Sequence, residues 1–93
     1  MDDVVMDRTE ARRILRRELQ AWEALSWSEL RDRVGTIETP QATGVSGTCY
    51  QIEIEPIWDA TPGGAIRVLG AIDDGGLHAF FPVTCDFLVA PDV

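Results

Sequence analysis

The stretch at 65–83, AIRVLGAIDDGGLHAFFPV, constrains the fold more than any other part of the chain. Apolar residues alternate on both sides of the run Asp73, Asp74, Gly75 and Gly76, and a period of two is typical of a half-buried β-strand. A tight turn between strands needs positive φ, which glycine adopts freely and aspartate tolerates. The stretch therefore predicts a β-hairpin with its tip at 73–76.

The same alternation predicts which side chains of the hairpin face the core. The more apolar set is expected to lie against a helix, and it continues across the tip to Leu77 and Phe81. Gly70 leaves a gap in this set, which Phe81 is predicted to cover. The opposite set is expected to face away from the helix and contains Arg67, Leu69, Ala71, His78 and Phe80.

Two more strands are predicted before the hairpin. An edge strand is expected at 36–43, where Pro40 is tolerated because an edge position loses only an outward donor. A second strand is expected at 48–58, with Tyr50, Ile52 and Ile54 on one face and charged residues on the other. Residues 84–89 are predicted to form a short final strand or a turn.

Two helices are predicted at the beginning of the chain. The first is expected at 8–25, opened by Asp7 with Glu10 three residues later, and its apolar positions repeat at helical spacing. Ser26 and Glu29 form a second capping pattern before a short helix at 27–34, which Gly35 ends. The order of elements predicts an α+β fold with two N-terminal helices on one face of a four-stranded antiparallel sheet. A cystatin-like fold and a plain two-layer meander both fit, and 93 residues predict a single domain at 1–93.

Several short motifs in the chain resemble those of other proteins. These are YQIE at 50–53, WD at 58–59, IRV at 66–68, IDDGG at 72–76, AF at 79–80, then Pro82, Thr84, DF at 86–87 and PD at 91–92. With the preceding helix that carries Glu18 and Trp22, they resemble a group of small bacterial proteins that have no established activity. The resemblance implies a compact α+β domain and no particular site.

The charge of the chain limits its partners. The net charge is −8, and residues 36–93 carry eight acids against the single Arg67. An acidic surface repels the phosphate backbone, so no nucleic-acid partner is expected, whereas a basic protein partner or a cation is compatible with it.

The chain is also predicted to be cytoplasmic and not bound to a membrane. Its first ten residues lack the apolar segment of a signal peptide, and no apolar run reaches the roughly 18 residues of a membrane span. Cys49 and Cys85 are accordingly expected to be reduced, buried thiols, with a disulfide as the alternative.

Candidate catalytic and metal-binding groups are few. His78 lies near Asp73 and Asp74 in the predicted hairpin, and imidazole and carboxylate are ordinary metal ligands. An Asp-rich tip is first explained by the turn, however, and nothing places Cys49 or Cys85 beside His78 as a nucleophile. We therefore predict no metal, no cofactor and no catalytic residue.

The strongest candidate interface is the sheet face away from the helices. Ile57, Leu69 and Phe80 would form an apolar centre with Arg67 and His78 at its rim, together with Glu53 and Glu55, which is typical of an interaction surface. Residues 84–93 folding back over this face would be the alternative. Arg67 is expected to pair with Glu53 and Glu55 across the strands, or else to clamp a ligand carboxylate or phosphate.

The sequence thus favours a non-enzymatic interaction module, either a homodimer through this face or the acidic partner of another protein. The alternative is a small-ligand-binding protein or minor enzyme with a pocket between the first helix and the sheet, near Glu18, Tyr50 and Trp58. Glu18 interrupts the apolar stripe of that helix. Its carboxylate lies either at the wet edge of the contact or partly buried against the sheet, where its proton affinity would be perturbed.

Overall fold

Strands with alternating apolar and polar residues form a sheet, and the capped helices form a layer on one face of it. The computed structural model describes residues 6–76 and 81–91. Its elements are α1 (Arg8–Glu23), α2 (Trp27–Arg31), β1 (Gln41–Thr43), β2 (Cys49–Trp58), β3 (Ile66–Asp73) and β4 (Val83–Val89). The strands form one antiparallel sheet in the order β1-β2-β3-β4, and α1 packs on β3 and β4. The predicted α+β class is confirmed. Within the described residues, no helix has the length and apolar character to cross a bilayer.

Helix α1 begins directly after its predicted capping residue, Asp7, and it packs across β3 at Gly70. The side chain of Asp7 accepts a hydrogen bond from the backbone N–H of Glu10 at 3.0 Å. A Cβ built on Gly70 would lie 3.0 Å from Leu15 Cδ1 and 3.1 Å from Leu19 Cδ1. The helix therefore packs tightly on β3 at a strand residue that has no side chain. The remaining core follows the predicted alternation, with these side chains fully buried: Tyr50, Ile52, Ile54, Ile66, Val68 and Ile72.

The second helix is capped as predicted but is shorter. Ser26 Oγ accepts from the N–H of Glu29 at 3.1 Å, and the Glu29 carboxylate accepts from the N–H of Ser26 at 2.8 Å. The helix ends at Arg31 and not at 34, and Gly35 follows with a φ of 92°. Trp27 attaches this helix to the loop between β2 and β3, because its Nε1 donates to the carbonyl of Gly64 at 2.9 Å.

Removing this cap is expected to lower stability. We predict that Ser26→Ala decreases the free energy of unfolding by about 1 kcal/mol, since the N–H of Glu29 loses its acceptor. Urea denaturation followed by circular dichroism measures the change. Ser28→Ala is the matched control, because Ser28 lies inside α2 and not at its cap. Equal losses for the two variants would contradict the role of the cap.

The predicted hairpin is wrong in its second strand. Ile72 pairs with Val83, so the strand that pairs with β3 begins at Val83 and not directly after the predicted tip at 73–76. Gly70 lies opposite Cys85, and Phe81 is 76% exposed, so Phe81 does not cover the gap at Gly70. Leu77, His78 and Phe80 lie outside the described residues.

The physical reason lies in two competing local patterns. Asp73 Oδ1 accepts from the N–H of Gly75 at 2.7 Å, and Asp74 Oδ1 accepts from the N–H of Gly76 at 3.1 Å. The predicted turn chemistry is therefore present at 73–76, but the strand that pairs with β3 does not follow it directly. Residues 83–89 pair with β3 instead, and they place Val83, Phe87 and Val89 against the core.

Two smaller predictions also need correction. The edge strand at 36–43 is reduced to β1 and one isolated bridge between Glu38 and Ile54, because Pro40 interrupts regular pairing. The thiols are free but not buried: Cys49 is exposed and Cys85 is half-buried. Odd-numbered residues of β2 turn away from α1, and this parity exposes Cys49.

Candidate functional site

The side of the sheet that turns away from α1 is the candidate site, and we call it the outer face. We define it by the following odd-numbered residues of β2 and β3 and even-numbered residues of β4: Glu53, Glu55, Ile57, Arg67, Leu69, Ala71, Thr84, Asp86 and Leu88. Because β4 pairs alongside β3, residues 83–89 widen this face and do not fold back across it. The alternative in which residues 84–93 cover the face is therefore wrong for residues 84–89.

Apolar side chains are exposed on the outer face. Leu69 is 37% exposed and Leu88 is 51% exposed, and Ile37 adds a third apolar side chain at 55%. A depression of ≈ 400 Å³ on this face is lined by Ile37, Leu69 and Ala71 and by the carboxylate-bearing Glu53 and Glu55, together with residues of β4. The structure thus places Ile57 and Leu69 on the predicted face, whereas Phe80 and His78 are not described.

Arg67 is the basic residue of the outer face, and its partners differ from the prediction. Its Nε donates to Asp59 Oδ1 and its Nη1 donates to Asp86 Oδ2, both at 2.8 Å. The register explains the difference. Arg67 lies opposite Ile57 on one side and Leu88 on the other, and each carboxylate that it contacts is two residues along the chain from one of these positions. These hydrogen bonds, with Asp59 first, raise the pKa of Arg67. Its Nε and Nη1 thus already hold two carboxylates, which makes the alternative role of Arg67 as a ligand clamp less favourable.

The outer face consequently has uncompensated negative charge. Within 6–76 and 81–91, Glu53 and Glu55 form no salt bridge. They stand opposite Ala71 and Leu69 in the β2–β3 register, so the facing side chains are apolar and leave the carboxylates available. An exposed apolar strip beside free carboxylates is the main chemical character of this face.

A buried polar cluster joins α1 to the loop between β1 and β2. The sequence did not predict this cluster. Glu10 is only 3% exposed, and its Oε1 accepts from Ser46 Oγ at 2.6 Å and from Tyr50 Oη at 2.8 Å. Its Oε2 accepts from the N–H of Ser46 at 3.2 Å. A Cβ on Gly44 would lie 2.5 Å from the Glu10 carboxyl carbon, so this glycine allows the close approach. The capping pattern assigned Glu10 a different role, and no spacing rule points to Ser46.

The electrostatics of this cluster indicate a structural role. Hydrogen bonds from Ser46 and then from Tyr50 lower the pKa of Glu10. Burial, followed by the bond to Glu10, raises the pKa of Tyr50 to about 12. The carboxylate is therefore a weaker base, and the phenol a weaker acid, than each would be in water. Such a pair is poorly suited to proton transfer at neutral pH and well suited to fastening α1 to the sheet.

The three residues of the predicted pocket are not brought together. Tyr50 is fully buried against Glu10, and Trp58 lies eight residues further along β2, roughly 26 Å away. The Trp58 ring packs against Trp27, with a centroid distance of 6.1 Å. Glu18 is half-buried on the flank of α1, where it borders a shallow groove with Ala42 and Thr43.

The remaining candidate ligands do not form a metal site in the described part of the chain. No group of three His, Cys, Asp or Glu side chains in 6–76 and 81–91 has the geometry to hold a metal ion. Asp73 and Asp74 each accept from a backbone N–H of their own turn. His78 lies outside the described residues, so its predicted proximity to these carboxylates stays a prediction.

No protein-family model, curated protein or solved structure matches this chain. Among the features described above, the Glu10 cluster is satisfied by its own hydrogen bonds. The outer face differs from it, because its apolar side chains and two of its carboxylates are turned toward solvent.

Proposed function

We propose that the protein is a non-enzymatic interaction module whose outer face binds a basic segment of another protein. The supporting observation is the combination of exposed Leu69 with Glu53 and Glu55, which lack salt-bridge partners within the described residues. Apolar contact would provide the burial, and the carboxylates would select Lys or Arg at its rim.

Charge favours one of the two partners that the sequence left open. A second copy stacked face to face would bring its own Glu53 and Glu55 against those of the first. Like charges opposed at an interface disfavour the complex. Arg67 does not relieve this repulsion, because Asp59 and Asp86 already neutralise it. A basic partner is therefore favoured over self-stacking through the outer face.

A peptide pair tests the proposal. We expect a peptide of alternating Lys and Leu to bind, and a matched peptide of alternating Glu and Leu not to bind. NMR chemical-shift changes are expected on Leu69, Ala71 and Glu55. Replacing both carboxylates, Glu53→Gln with Glu55→Gln, is expected to weaken binding about tenfold, and added salt should weaken wild-type binding as well.

Glu18→Gln is the control, because Glu18 lies on α1, on the opposite side of the sheet, at the flank that borders β1. It removes one negative charge without touching the outer face. Loss of affinity equal to that of the double variant would mean that the peptide senses net charge alone. Shift changes confined to α1, or equal binding of both peptides, would contradict the proposal.

A further inference from the structure

The outer edge of β4 has unused backbone hydrogen-bonding groups. Ile54 exchanges two backbone hydrogen bonds of 2.9 Å with Glu38, so its N–H and C=O point toward β1. Antiparallel pairing alternates, which directs odd-numbered residues of β2 to β3 and even-numbered residues of β3 to β4. The backbone groups of Thr84, Asp86 and Leu88 therefore point away from β3. In the part of the chain that the structure describes, no strand pairs with them.

The two edges of the sheet are protected very differently. At one edge, β1 has three residues and lies between Pro40 and Gly44, which limits further pairing. At the other edge, β4 has seven residues, VTCDFLV, with neither proline nor lysine and with one charge, Asp86. Long apolar edges without such protection are the ones that accept another strand.

We propose that two copies of the protein pair through their β4 edges, antiparallel and about a two-fold axis, to form one continuous sheet. The register is defined by the residue at the two-fold axis, which lies opposite the same residue of the second copy. If Asp86 were at the axis, two like charges would be opposed. An axis at Cys85 would place Pro82, which has no N–H, at a hydrogen-bonding position opposite Leu88. An axis at Phe87 avoids both penalties. It opposes the two Phe87 rings, and it places Asp86 opposite Leu88 of the second copy.

The flank of α1 above this edge has matching charges. A groove of ≈ 440 Å³ between α1 and β4 is bordered by Arg16 near one end and by Glu23 near the other, with Leu19 between them. A two-fold axis reverses the direction of the second helix. Arg16 of one copy then approaches Glu23 of the other, so the helix flanks are self-complementary in charge.

Edge pairing and the proposed function use different surfaces. The edge contact covers the side of β4 and leaves the outer face open, whereas self-stacking would cover it. The dimer would therefore present two outer faces on one side of the sheet. The inference does not depend on the identity of a basic partner, and a monomer with an active outer face would refute only the edge contact.

Two substitutions at one position test the register. Leu88 is 51% exposed, so it tolerates a polar side chain, and in the proposed dimer it lies opposite Asp86 of the second copy. Leu88→Asp places like charges opposite each other twice, and we expect the dimer dissociation constant to rise about tenfold or more. Leu88→Lys places opposite charges there, and we expect it to preserve or tighten the dimer. Light scattering after size-exclusion chromatography, over a range of concentrations, measures both.

Amide hydrogen exchange of the wild type gives a second, independent measurement. The N–H groups of Asp86 and Leu88 are expected to exchange slowly at concentrations where the dimer forms and quickly on dilution. A monomer at every concentration would overturn the inference. So would a dimer in which these two amides exchange freely, or one that both Leu88 variants weaken equally.

Discussion

Gly70→Val is expected to lower the free energy of unfolding by about 3 kcal/mol. The new Cβ would meet Leu15 Cδ1 at 3.0 Å and Leu19 Cδ1 at 3.1 Å, and the two further methyl groups add to this crowding. Relief requires α1 to move away from β3, which loosens contacts along the whole helix. For a domain of this size, such a loss removes a large part of the total stability. Urea denaturation, with fluorescence of the tryptophans as the signal, measures it.

The adjacent residue provides a matched control for this substitution. Ala71→Val adds bulk one position along β3, but on the outer face, where Ala71 is only half-buried. A β-branched side chain suits an open strand position, so we expect little change or a slight gain. If Gly70→Val were as stable as Ala71→Val, the close crossing of α1 over Gly70 would be wrong.

Glu10→Gln is expected to lower the melting temperature by roughly 10 °C at pH 7. Both Ser46 and Tyr50 donate to this carboxylate, and an amide is a weaker acceptor that also adds two donors to a buried place. The substitution keeps the size of the side chain, so the loss reports the hydrogen bonds and not a cavity. Thermal unfolding followed by circular dichroism measures it, and Glu53→Gln at an exposed position of β2 is expected to show no comparable change.

The pH dependence of stability provides an independent readout of Glu10. Its hydrogen bonds hold the folded-state pKa of Glu10 below its ordinary value of 4.5. The contribution of Glu10 to stability is therefore complete above pH 4.5 and is lost as the pH falls through the folded-state pKa. We expect wild type to lose stability over this acidic window more steeply than Glu10→Gln. Parallel curves for the two proteins between pH 7 and pH 2 would contradict the assignment.

The two proposed surfaces would reinforce each other. A dimer joined through β4 places two outer faces on one extended sheet, so a partner with two basic segments would bind both. Linked binding of this kind raises the effective concentration of the second segment without any new contact. The two proposals also assign specificity and assembly to different groups, since Glu53 and Glu55 would select the partner and the backbone of β4 would join the copies.

Local patterns were sufficient where a feature depends on near neighbours in the chain. The caps at Asp7 and Ser26, and the inward and outward residues of β2 and β3, follow from hydrogen-bonding side chains and a period of two. Each of these requires only a few consecutive residues. For the same reason the class of the fold, helices before an antiparallel sheet, was predicted correctly.

Tertiary structure decided the features that connect distant residues. The start of β4 at Val83, the pairing of Arg67 with Asp59 and Asp86, and the bonds of Glu10 to Ser46 and Tyr50 all join separate segments. A turn signal such as the one at 73–76 specifies a bend but not which later residues return to pair. That choice depends on which strand fills the space beneath α1, where Val83, Phe87 and Val89 pack against the core.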